Sequence, residues 1–142
     1  LFGYWGGGVN ITDGKYTYFK YPDNMSRKDP FQYTLMPTHL RQFFTLDELK
    51  TAKLNNPFSF TKGVPVLKIK NDEAGPAIGN DTGGKDNMSF ENKTTALYDI
   101  KSDPGQLNNI INSEISHSSK NEMKRKMKEN DAPIEVLERF GF

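Results

Sequence analysis

The sequence predicts an α+β fold: a roughly four-stranded antiparallel sheet packed on a long C-terminal helix. Three observations carry this reading. β-rich runs fill the first two thirds of the chain, Asp13-Gly14 sits between two of them as a tight-turn pair, and one long amphipathic segment follows near the end. Strands first and helix last is the order of an α+β domain, and 142 residues fit one domain spanning 1–142.

The elements follow in order. Val9 to Ile11 and Lys15 to Tyr21 form a hairpin across "TDG", where Asp13-Gly14 supplies the positive-φ pair. Tyr16 and Tyr18 fall on one face of the second strand and Thr17, Phe19 and Tyr21 on the other, so this strand is expected to be covered on both sides. The glycines of "GYWGGGVN" lack the spacing of a phosphate loop and run into a strand; they suit a bulge or a close backbone approach.

"FQYTLMPTHL" is a further extended stretch, with Pro37 arguing for an edge or bulge. "TLDELKTAKL" begins a short helix. Thr45 and Glu48 have the spacing of a capping box, and Leu46, Leu49 and Leu54 give a partial apolar stripe. Val64 to Lys70 is a third strand. From Asn71 to Lys93 the chain is polar with little to bury, which predicts a long mobile loop.

"TTALYDI" is a fourth strand. In "KSDPGQ" after it, Asp103 suits an N-cap, Pro104 the first helical position and Gln106 the third. The long helix runs from Ser113 to about Asn130, with Ile115, Met123 and Met127 on one side and Glu122 able to pair with Lys126. Pro133 stops it and opens a short helical tail ending in "ERFGF".

Composition narrows the function classes. Net charge is +1, too weak a field to argue for nucleic acid, and no segment has the length of a transmembrane helix. The chain has no cysteine, so disulfides, thiolate metal sites and cysteine nucleophiles are excluded. That leaves the compartment open, leaning to a reducing, cytoplasmic one. The N-x-S/T triplets at Asn10, Asn24, Asn80, Asn87 and Asn92 read as chance in an Asn-rich chain. His39 and His117 have no second ligand at metal spacing, and "KNEMKRKMK" reads as a solvated helix face. Read from the residues alone, this is a non-catalytic α+β module.

Two stretches add a direction. "ALYDIKSDPGQLNNI" resembles the Leu-Tyr-Asp-Leu, Asp-Pro-x-Glu, Asn-Leu signature near the C-terminus of sulfatases in the alkaline phosphatase superfamily. "NITDGKYTYFKYP" is similar to the turn and strand upstream of that signature. "TLMPTHL", "PFSFTKGVPVL" and "KENDAPIEVLERFGF" extend the likeness in the family's order across nearly the whole chain. Gln106 stands where the family often has Glu, and Val64 where Cys would not surprise.

The resemblance implies a parent enzyme that hydrolyses sulfate esters with formylglycine and a divalent metal, calcium or magnesium. Its C/S-x-P-x-R pentapeptide does not occur here. The chain is therefore expected to be the C-terminal domain, cut from its N-terminal catalytic domain, inactive alone and holding no cofactor of its own. The expected partners are that catalytic domain and, at the cleft rim, the sulfate ester, with self-association of the isolated domain through the surface left bare. His39 and Lys62 are the candidate donors for the rim. The alternatives are a free-standing carbohydrate-binding or interaction module, with the Tyr and Trp residues of the first hairpin as platform, or the equivalent domain of a phosphodiesterase or phosphomutase relative.

Overall fold

The computed structural model describes residues 1–3, 7–22, 31–36, 38, 43–70, 94–111 and 114–142. Its fold is α+β, with antiparallel sheets and helices in one chain. Internal contacts divide it into two compact units, Leu1–Met25 with Ser89–Phe142, and Ser26–Met88. The expected mobile loop at 71–93, Pro37, His39 and Trp5 lie outside the described residues.

The first unit is built on a four-stranded sheet of order β1-β2-β3-β7, formed by β1 (Phe2–Gly3), β2 (Val9–Thr12), β3 (Tyr16–Lys20) and β7 (Ala96–Asp99). The hairpin β2–β3 forms at Asp13-Gly14, but Gly14 alone takes a positive φ, of 89°. Asp13 instead closes the turn with its carboxylate, which accepts the N–H groups of Lys15 at 2.8 Å and Tyr16 at 2.7 Å. At Gly3 a Cβ would stand 2.4 Å from the carbonyl oxygen of Gly8, so the glycines let β1 close onto β2.

Thr17 and Tyr18, consecutive and so on opposite faces of β3, are 5% and 4% exposed, while Tyr16 and Phe19 are half-buried. Tyr18 and Leu97 share one buried cluster with Met123 and Met127 of helix α2 (Glu114–Glu129) and with Leu137 of helix α3 (Ile134–Arg139) and Phe140. On the opposite face Phe19 meets Phe2 and Tyr98 edge-on, at centroid distances of 6.4 Å and 5.9 Å.

The second unit carries a separate three-stranded sheet of order β4-β6-β5, from β4 (Phe31–Thr34), β5 (Lys53–Asn55) and β6 (Val66–Lys70). The expectation of a single sheet of about four strands is corrected by this second sheet. Helix α1 (Leu46–Lys50) has the predicted capping box, with Thr45 Oγ1 accepting the Glu48 N–H at 3.2 Å and the Glu48 carboxylate accepting the Thr45 N–H at 2.8 Å. The predicted leucine stripe does not form. Leu46, Leu49 and Leu54 are all exposed, Leu54 lies on β5, and the buried side chain of α1 is Glu48. A five-residue helix is too short to present a stripe, and it is held by its cap.

Two further expectations change. No helix starts at Asp103; Gln106 adopts a left-handed φ of 53° that a third helical position cannot have. In α2, Glu122 pairs with Arg125, whose Nε lies 2.8 Å from it, while Lys126 turns to Glu129 at 3.2 Å. Beyond α2, Asp131 takes a left-handed φ of 58° and the Ala132 N–H bonds the Met127 carbonyl at 3.0 Å, a Schellman-type stop ahead of Pro133.

Candidate functional site

The stretch from Leu97 to Ile111 is built around three polar side chains. Asp99 Oδ1 accepts the N–H groups of Lys101 at 3.0 Å and Ser102 at 3.1 Å, wrapping the chain as it leaves β7. Asp103 Oδ2 accepts the Asn108 N–H at 2.8 Å, closing the turn over Pro104 and Gly105. Asn109 Oδ1 accepts both the Leu97 N–H and the Ile111 N–H at 3.0 Å, and the Ile110 N–H returns to the Leu97 carbonyl at 2.8 Å. The loop is thus fastened at Leu97 to the edge of β7 that faces away from β3.

These contacts set the electrostatics. Backbone N–H groups stabilise the ionised carboxylates, so Asp99 is held below the ordinary 3.8 chiefly by Ser102, and Asp103 chiefly by Asn108. A carboxylate stabilised in its charged form is a poor proton donor or acceptor near neutrality. The arrangement does structural work, and its chemistry is that of a clasp. Asn109 carries no spacing signal in the sequence, since its partner Leu97 lies twelve residues back.

Lys62 sits at the other candidate position. It follows the 3₁₀ turn Ser59–Thr61 in a left-handed conformation, φ 52° and ψ 40°. The buried Thr61 hydroxyl lies 2.9 Å from the carbonyls of both Phe58 and Val64 and ties the turn from inside, which leaves Lys62 exposed at its tip. His39, its proposed partner, lies outside the described residues.

A pocket of about 320 Å³ lies between the β2–β3 turn and α2. Its titratable lining is engaged: the Asp13 carboxyl is held low by the Tyr16 and Lys15 N–H groups, and Glu122 is held low by Arg125. His117 is exposed on α2, as expected. Among the described residues no cluster of three acidic or histidine side chains could hold a metal ion, and no helix is long and apolar enough to cross a membrane.

No family model, curated protein or solved structure matches this chain. The functional reading therefore rests on the residues and their geometry.

Proposed function

We propose that this chain is the C-terminal structural and cleft-rim domain of a sulfatase, packing against an N-terminal catalytic domain of the same polypeptide. One observation carries the reading. The stretch most similar to the sulfatase signature, Leu97 to Ile110, is a clasp in which Asp99, Asp103 and Asn109 all engage backbone N–H groups. Carboxylates and an amide engaged by backbone N–H groups fit a supporting role beside a catalytic centre built elsewhere.

In this reading α2 lies over one face of the four-stranded sheet, which the cluster shared by Tyr18, Leu97, Met123 and Met127 supports. The opposite face, with Phe2, Phe19 and Tyr98, is offered to the catalytic domain. Formylglycine and a calcium or magnesium ion would supply the nucleophile and charge stabilisation in that domain, and no residue of this chain is assigned to them. His39 and Lys62 act at the rim as donors to the anionic ester.

The test compares this chain alone with the same chain expressed behind its upstream coding sequence. Expected are an upstream C/S-x-P-x-R, turnover of an aryl sulfate by the long form and none by the short one. A long form lacking the pentapeptide, a short form with its own turnover, or preferential hydrolysis of an aryl phosphodiester would overturn the sulfatase assignment.

A further inference from the structure

We propose that the pocket between the β2–β3 turn and α2 binds a small organic cation, an ammonium group carried on an apolar body, with Asp13 as its counter-ion. The pocket measures about 320 Å³, the size of a small-molecule site. Its floor is apolar: Ile11, Tyr16 and Ile115 are half-buried there and pack against the cluster that holds Tyr18 and Met123. The helical period brings Ser118, Ser119, Glu122 and Lys126 to the same face of α2 as Ile115, and Thr12 and Asp13 close the pocket from the hairpin.

The charged side chains decide what fits. Two of those lining the pocket are spent within α2: both Glu122 oxygens take the Arg125 guanidinium, and the Lys126 ammonium turns to Glu129 at 3.2 Å. Asp13 differs. The N–H groups of Lys15 and Tyr16 both end on its Oδ1, and no other described residue donates to Oδ2. The turn thus fixes an ionised carboxylate at the pocket and leaves one oxygen open to a donor on a ligand. The Thr12 hydroxyl is consumed, donating to the Tyr16 carbonyl at 2.8 Å and accepting the Gly14 N–H at 3.1 Å.

An ammonium group brings both a positive charge and N–H donors to Asp13, and an apolar body covers Ile11, Tyr16 and Ile115. An anion would face the Asp13 carboxylate, with the Lys126 ammonium already turned to Glu129. A neutral sugar could donate hydroxyls, but it would leave the carboxylate charge unmatched. Lys15 does not take the place of the ligand. It is not among the residues lining the pocket, and its ammonium lies over the Tyr16 ring, 4.7 Å from the centroid, rather than on the carboxylate.

The inference stands on this pocket and is independent of the sulfatase reading. Phenethylamine is titrated into the full chain at neutral pH and followed by amide NMR shifts, beside phenylpropionate, which carries the same ring with the opposite charge, and glucose. Saturable shifts are expected from phenethylamine at the β2–β3 turn and the first half of α2, with tighter binding than by either comparator. Asp13→Asn keeps an acceptor for the two turn N–H groups, and it should weaken phenethylamine binding by about threefold to tenfold with the circular dichroism spectrum unchanged. Asp47→Asn, the same loss of charge at an exposed position on α1, should leave the affinity as it is. No saturable shifts at the pocket, phenylpropionate or glucose bound as tightly as phenethylamine, wild-type affinity in the Asp13 variant, or equal loss in the Asp47 variant would each overturn the proposal.

Discussion

Asn109 holds the edge of the four-stranded sheet by accepting the Leu97 N–H at 3.0 Å, and Leu97 answers by accepting the Ile110 N–H at 2.8 Å. The side-chain amide does here what a neighbouring strand would do. Leu97 itself is fully buried, so its N–H has no route to water if the amide is removed. Asn109→Ala should therefore lower the unfolding free energy by about 1–3 kcal/mol in urea titration. A variant within about 0.3 kcal/mol of wild type would show that the edge is held by something else.

Leu97 and Leu54 make a matched pair for the core. Leu97 is 0% exposed in the cluster with Tyr18 and Met123, and Leu54 is 79% exposed on β5. Leu97→Ala should cost about 2–5 kcal/mol through lost burial and the cavity left behind. Leu54→Ala should stay within about 0.5 kcal/mol of wild type. Thermal melts of the two variants would reverse the assignment of the core if Leu54 proved the costlier site.

Lys62 holds a left-handed backbone without the freedom of glycine. Lys62→Gly relieves that strain, so the variant should be as stable as wild type or up to about 1 kcal/mol more stable. The same variant removes the proposed rim donor. If the chain belongs to the proposed sulfatase, the variant should raise KM of the long form for an aryl sulfate with little change in kcat, and a lowered stability would argue that the Lys62 side chain has a structural role.

The pH dependence follows from the turn carboxylates. Asp13, Asp99 and Asp103 all have pKa values lowered by backbone N–H groups in the folded chain. Their contribution is complete above the ordinary carboxylate value of 3.8 and is lost as pH falls through the lowered folded values. Stability should be level from neutrality down to about pH 5 on their account, then decline into acid. Asp99→Asn and Asp103→Asn should flatten the acid limb, and an acid limb unchanged in the double variant would assign the loss to other groups.

What could be read from sequence was what is local. Asp13-Gly14 announces its turn, Thr45 and Glu48 announce a cap, and the methionines of α2 announce a buried side because spacing along one element is enough. Leu46, Leu49 and Leu54 misled because a stripe means burial only if the helix continues, and Lys53 instead begins a strand that pairs with Lys68. The second sheet was not legible, since β4 and β6 read the same whether they join β3 or each other. Asn109 carries no spacing signal at all: its value comes from where β7 places Leu97. Likewise the ring contacts of Lys68 arise only when Phe31 and Tyr33 arrive from another strand.

The neighbouring strands β3 and β7 have a consequence for how this chain assembles and how it could be altered. Phe19 pairs with Ala96, and the Tyr21 N–H reaches the Thr95 hydroxyl at 3.4 Å across 74 residues of sequence. The first sheet thus joins two strands far apart in sequence, with the residues of the second unit, Ser26–Met88, falling between them along the chain. Closing so long a loop is the slow entropic step, yet its cost grows only logarithmically, by about 0.6 kcal/mol per doubling. A short β-turn joining Tyr21 to Thr95 should therefore leave the register of Phe19 with Ala96 intact, because that register is set by the pairing of β3 with β7.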